Sequence, residues 1–550
     1  MQHNTLFYRH VIYFIFLALI FPLTYVHAVT NSTIYDVQDY GAKGDGKSLD
    51  TKSIQNAIDA CHSAGGGVVQ LNGGTFMSGT IFLKSGVRLH IEKGATLLGS
   101  TNAQDYPDIG VQDPTKEERY NAGKALVYSE NQHHISVSGQ GVIDGNGATL
   151  ASLNQVRTHI IHFKACHDIK INDVSLVNGS WWIQKYDACN NLQIDGITVN
   201  SKENSDMDKP RYADTPGRNT DGCNIVDSRN VQVSNCHIFS GDDGIVLKSF
   251  SKDLGCHNVT ISNCIISTNA SGIKIGTESA GKFHDVLVNN CIVYDTRLGG
   301  VELMVVDGGS MERIVVTNIS LNNILGAAIY VRLGNRGREY THNKMPSVGS
   351  VKDILIQNIY GTKIGRYGSS ITGIPSAPLK NITLENIDLT FTGGNTPLYF
   401  EGYPTKPVEE RTIDQVPEEE KSYPRCDIFG KLPAYGFYIR HVEGIDLRNI
   451  KLRFDEEDTR SAIVADDVSN FFLDGLKAQI SPHAPAVIQG RNIQTAAIIN
   501  CISLSPAKSF LHASGNKTQH IVLSSNIWRN LVTTLSTDNS FPVSEINEKK

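Results

Sequence analysis

The chain has no Cys-x-x-Cys pair, so its ten cysteines offer no zinc-binding spacing. It has no loop of calcium-binding pattern. Beyond Val26 it has no apolar run that reads as membrane-spanning. A large excess of charge of either sign is also missing. The net charge of −6 argues weakly against nucleic acid as a partner. The acidic run Glu418-Glu419-Glu420-Lys421 is expected to be a solvated loop. Tryptophan is scarce, and two of the three stand together as Trp181-Trp182. Neighbours on a strand face opposite ways, so at least one of that pair is expected in the core.

What is present is globular in character. An apolar content of 40% and a charged content of 19% exclude a disordered chain. The first residues carry Arg9 and His10, then an apolar stretch from Val11 to Val26 ending in Val26-His27-Ala28. That stretch is about 16 residues long and contains Pro22, whereas a membrane span needs about 20. It reads as an export signal, residues 1–28, with cleavage near Ala28. Export permits disulfides. Yet Cys236, Cys264, Cys291 and Cys501 all follow Asn at one repeated apolar position, which predicts buried thiols there.

The repeat sets the fold. Val231 and Val233 precede Asn235, and Cys236 and Ile238 follow it. The same phase recurs around Asn263, Asn290, Asn318, Asn358, Asn386, Asn449 and Asn500. Gly139, Asp173, Gly196 and Gly475 index further copies. Each unit is an alternating strand, one corner residue and another alternating strand. Asn, Asp and Gly are the residues that tolerate left-handed backbone at such a corner. Stacked Asn side chains are placed to hydrogen-bond from coil to coil. From Gly196 onward the intervals are 39, 28, 27, 28, 40, 28, 63, 26 and 25. A base period with occasional long intervals predicts a solenoid with inserted loops. β-Branched alternation makes it all-β, a right-handed parallel β-helix. The leucine spacing of leucine-rich repeats is absent.

The long intervals hold Lys202–Arg218, Arg332–Pro346 and Tyr403–Pro433, expected to wall a groove. Thr51–Ala64 has helical spacing with Asp50 as its N-cap, a short helix closing the first coil. The expected organisation is therefore a signal at 1–28, an N-terminal cap and first coils at 29–100, the β-helix at 101–532 and a loose tail at 533–550.

Asp221 lies in Asn219-Thr220-Asp221, and Asp242 and Asp243 lie in Gly241-Asp242-Asp243-Gly244. Gly222, Gly244, Gly272 and Gly300 are spaced 22, 28 and 28, and aligning them stacks the coils. One column then reads Asp221, Asp243, Ser271. A second reads Asn224, Val246, Lys274, Glu302. A third reads Ile225, Leu247, Ile275, Leu303, apolar as a core row should be. Gly241 and Gly244 permit a kink that brings Asp242 and Asp243 to one face. A carboxyl crowded by two others is expected to keep its proton and protonate a leaving oxygen, while the others activate water. Paired carboxylates of this kind cleave glycosidic bonds.

These acidic motifs resemble those of glycoside hydrolase family 28, the pectin-cleaving polygalacturonases and their relatives. The opening Tyr35-Asp36-Val37 with Tyr40-Gly41-Ala42-Lys43-Gly44-Asp45-Gly46 is similar to that family's N-terminal segment, as is Gly65-Gly66-Gly67-Val68-Val69. Leu432-Pro433-Ala434-Tyr435-Gly436-Phe437-Tyr438-Ile439-Arg440-His441 resembles a bacterial and plant-like subgroup. The resemblance implies inverting hydrolysis of α-galacturonide-type links, with Asp242 as general acid and Asp221 and Asp243 holding the water. It implies no metal and no cofactor. Its expected partner is a pectic polysaccharide or oligosaccharide, acted on by a secreted monomer that leaves the membrane after signal cleavage.

The chain departs from that family pattern twice. Ala270-Ser271-Gly272 replaces Gly-His-Gly, and Glu302-Leu303-Met304 replaces Arg-Ile-Lys. The cationic grip on a substrate carboxylate is thereby lost at those positions. The substrate-binding candidates are Asn219, Lys248, Ser271, Lys274, Glu302 and Arg332, with Lys274 expected to contact Glu302. Arg336 and Arg338 lie in the same inserted loop as Arg332. Such changes suit a sugar other than plain galacturonate beside the cleaved bond, as in rhamnogalacturonan; separately, long loops that block one groove end would make the enzyme exo-acting. A catalytically weak carbohydrate-binding β-helix is the alternative. A lyase of similar fold would need a calcium site and an arginine base.

Overall fold

The computed structural model describes residues 33–110, 123–154, 156–202, 219–340, 348–394, 398–400, 403–527, 531–538 and 546–549. The signal segment and most of the first inserted loop lie outside them. Almost every strand pairs in parallel with the strand one coil away, forming a right-handed parallel β-helix. Three strands make one coil. Cys223–Val226, Arg229–Ser234 and His237–Ser240 pair respectively with Ile245–Ser249, Gly255–Ser262 and Ile265–Thr268.

Alternation explains the interior. Ile225, Leu247, Ile275 and Leu303, the core row predicted from glycine spacing, stand in direct register and are buried, and Val331 continues the row. Burying each such side chain contributes roughly 1.5–3 kcal/mol. All ten cysteines are free and buried.

The corners are left-handed as their residue types require. All twelve index residues, from Gly139 to Asn500, have positive φ. Asn318 Nδ2 donates to Asn290 Oδ1 at 3.1 Å, Asn358 to Asn318 at 3.0 Å, and Asn386 to Asn358 at 3.0 Å. A second left-handed corner, unpredicted, sits five residues before each index, at His134, Asp168, Asn191, Asn230, Asn258, Asp285, Arg313, Asp353, Asn381, Gly444, Asn470 and Thr495.

The helix α1 (Thr51–Ser63) caps the first coil, burying Ile54, Ala57, Ile58 and Cys61. Asp50 occupies its N-cap position without a side-chain cap bond. Its carboxylate instead accepts from the Lys43 and Gly44 amides at 2.8 and 3.0 Å, tying the preceding loop down. At the other end the expected loose tail is corrected. Leu531–Thr537 pairs with Ala507–Ser514, and Ile546–Lys549 pairs with Gln519–Ser524, so coil pairing continues past residue 533. Both Trp181 and Trp182 are buried, where one was required.

Candidate active site

One sheet face carries the site. Its strands are β1 (Cys223–Val226), β2 (Ile245–Ser249), β3 (Ile273–Ser279), β4 (Val301–Val305) and β5 (Ile329–Leu333). The residues just before β1, β2 and β3 stack through backbone bonds. Gly222 N donates to Asp243 O, and Gly244 N to Ser271 O, both at 2.8 Å. A Cβ at Gly244 would lie 2.4 Å from Gly272 O, so only glycine permits this approach.

The stacking brings Asp221, Asp242 and Asp243 together. One oxygen of each lies within 4.8 Å of the others, and all three residues are buried. Asp242 Oδ2 accepts from Asn219 N at 3.1 Å and Asn219 Nδ2 at 3.3 Å, and its Oδ1 accepts from Asp243 N at 3.0 Å. Asp243 accepts from Ser271 N at 3.2 Å and from Lys274 Nζ at 2.9 Å. Lys248 Nζ lies 3.2 Å from both Asp221 Oδ2 and Glu278 Oε2, and 4.1 Å from the centre of a Trp182 ring.

Burial pushes the Lys248 ammonium down, but Asp221, Glu278 and Asp243 more than reverse this and raise it. Lys274 follows the same logic. Burial opposes its charge, while Asp243, Tyr423 and Glu302 hold it well above the ordinary lysine value. Burial raises Glu302, which Lys274 only partly offsets. Each ammonium therefore sustains negative charge on the aspartate beside it.

The three aspartates are also the one group of metal-ligating type, among the described residues, whose donor atoms converge. The donor set does not suit a divalent cation. Two buried ammonium groups already sit against it and would repel one.

A cavity of about 230 Å³ opens onto the trio. Asn219, Lys248, Lys274 and Glu302 line it, as do Leu298, Tyr423, Pro424 and Arg425. Two larger depressions of about 620 and 630 Å³ lie on another sheet face around Arg88 and Lys170. Their carboxylates, Glu92, Asp173 and Asp195 in one and Asp168 in the other, do not converge as the trio does, so the chemistry points to the smaller cavity.

Three expectations are corrected. Lys274 and Glu302 are register partners, but the lysine bonds Asp243 and Glu302 accepts from Ser271 Oγ at 2.7 Å and Gly299 N at 3.0 Å. The Ser271 hydroxyl thus acts on Glu302 and its amide on Asp243, and Ser271 itself does not line the cavity. Arg332 does not face the cavity. Its guanidinium is buried and donates to Thr372 Oγ1, Gly373 O and Glu418 O, under the inserted loop. The acidic run there is pinned, since Glu418 pairs with Arg440 and His441. Tyr423, Pro424 and Arg425 were not singled out from sequence. The signal available was the 63-residue interval between Asn386 and Asn449, which marks their segment as an insertion.

Comparison with known proteins agrees with this geometry. The profile described as Glycosyl hydrolases family 28 matches residues 61–406. A probable polygalacturonase of Vitis vinifera is 24% identical over 381 residues, 64% of this chain and 73% of its own length. An exo-poly-alpha-D-galacturonosidase of Dickeya chrysanthemi is 25% identical over 396 residues, 60% of this chain and 63% of its own. A solved structure, a hyperthermoactive exopolygalacturonase from Thermotoga maritima, shares the fold at a TM-score of 0.53 and 18% identity, covering 67% of this chain and 89% of that one. With the family profile spanning more than half its length and the aspartate trio assembled in one cavity, this chain belongs to glycosyl hydrolases family 28 and is a glycoside hydrolase.

Proposed function

We propose that this protein is an exported pectinase that hydrolyses galacturonide linkages of pectic polysaccharide with inversion at the anomeric carbon. The observation that carries the reading is the trio of buried carboxylates in one cavity, two of them held by ammonium groups. Asp242 gives a proton to the leaving glycosidic oxygen as its bond to the anomeric carbon breaks. Asp221 and Asp243, kept ionised by Lys248 and Lys274, orient one water and take its proton as it attacks. No metal or cofactor enters this chemistry. The relatives' names, one of them an exo-acting enzyme, support the sugar class.

Inverting pairs ordinarily stand about 6.5–9.5 Å apart and retaining pairs about 5–5.5 Å. Here the nearest oxygens lie within 4.8 Å, so stereochemistry is the discriminating measurement. Proton NMR of the first product from an α-linked galacturonan is expected to show the β-anomer before mutarotation. An initial α-anomer would instead make one aspartate a nucleophile and overturn the water-activating assignment.

A further inference from the structure

The cavity has two walls of different origin. The strand wall carries the carboxylates and the two lysines, whose side chains are 3% and 4% exposed and engaged with aspartates. The opposite wall is Tyr423, Pro424 and Arg425 from the inserted segment. A sugar acid entering here brings a negative charge toward three carboxylates. Lys248 and Lys274 are committed to those carboxylates, and Met304 is buried and uncharged. Arg425 is the cavity cation that solvent reaches, with its side chain 26% exposed. Its Nε donates to Asp427 at 2.9 Å and its Nη2 pairs with the other oxygen of that buried carboxylate, so the guanidinium is held in place while its outer edge reaches solvent.

Tyr423 is similarly prepared. Tyr423 is 44% exposed and lines the cavity. Thr277 Oγ1 donates to its hydroxyl at 3.1 Å, and the Arg336 guanidinium lies 5.6 Å from its ring centre. Arg336 is in turn fixed by Asp307 and Tyr340. The segment is pinned to the helix body through Asn335 N to Glu420 O at 2.6 Å and Arg440 to Val416 O at 2.9 Å. An aromatic face and a fixed guanidinium at one mouth suit the apolar ring face and the carboxylate of one sugar acid.

We infer that Arg425 and Tyr423 form the specificity wall of the site, Arg425 receiving the carboxylate of a uronic acid residue and Tyr423 packing on its ring. This deepens the proposed function and rests on it for the sugar class. The test is calorimetric titration of trigalacturonate and its methyl ester into the Asp242→Asn chain, with and without Arg425→Gln. The Asp242→Asn chain is expected to bind the acid roughly 10- to 100-fold more tightly than the ester, and Arg425→Gln to erase that preference. Equal affinity for acid and ester in the Asp242→Asn chain overturns the inference, whether or not the Arg425 variant folds. So does a preference that survives in folded Arg425→Gln. Acid-selective binding that depends on Arg425, with no cleavage by the parent chain, would sink the hydrolase reading and leave this inference standing.

Discussion

Lys248 stands between Asp221 and Glu278 with its ammonium over a Trp182 ring. All of these residues are buried, so removing the ammonium takes a buried counter-charge from two carboxylates. Breaking a buried pair from one side costs about 3–5 kcal/mol. Lys248→Met should therefore lose about that much stability in a urea titration and lose activity with it. An unchanged midpoint would mean that the ammonium contributes nothing net. Asp227 makes a pH-dependent prediction. Burial raises its carboxyl from 3.8 to about 7, with Ser249 Oγ at 2.5 Å and Phe250 N at 3.0 Å only partly compensating. The folded value lies above the unfolded one, so the native state holds a proton that the unfolded chain releases. That contribution is full below about pH 4 and is lost as pH rises through about 7, on the order of 4 kcal/mol in all. Asp227→Asn should flatten this part of the stability profile when unfolding is measured at pH 4.5 and 7.5. An identical slope in the variant would remove Asp227 as its source.

The corner is the element that the sequence exposed most clearly. Left-handed backbone restricts its occupant, and the Asn ladder adds a reason for one residue type in particular. Asn318→Ala removes bonds to Asn289, Asn290 and Asn358 and leaves alanine, which tolerates left-handed backbone less well than asparagine, at φ 57. About 2–4 kcal/mol should be lost in denaturant unfolding, and Asn318→Gly should recover the backbone share, about 1–2 kcal/mol. Equal losses for the two variants would show that the ladder alone matters. The second corner escaped notice because its occupants vary, with His134, Arg313 and Thr495 among them. Strand register was legible because the glycine column fixes which residues are neighbours. It does not fix which neighbour a long side chain chooses. Lys274 therefore went to Asp243 and not to its register partner Glu302. Arg332 was misread for a related reason. It sits on the site face of β5, but a segment 86 residues away covers it.

Across the whole molecule, the solenoid supplies a rigid face and the insertion supplies the second wall. Repeat patterning reveals the first because each coil obeys the same packing rule. It marks the second only as an insertion expected to wall a groove and does not pick out its cavity residues, since the segment around Tyr423 and Arg425 obeys no period and is held by Arg332, Arg440, His441 and Arg491 from distant coils. The family profile likewise ends at residue 406, before that wall. The aspartate trio was legible because two short motifs one coil apart must stack. We ascribe hydrolysis to general acid–base action of this trio. The most direct test is the rate of reducing-end release from polygalacturonan and rhamnogalacturonan by the parent chain and by Asp242→Asn, with thermal unfolding to verify that the variant folds. Cleavage of at least one polymer by the parent is expected, with a loss of roughly 10²- to 10⁴-fold in the folded variant. A folded Asp242→Asn that cleaves at the parent's rate would contradict that assignment.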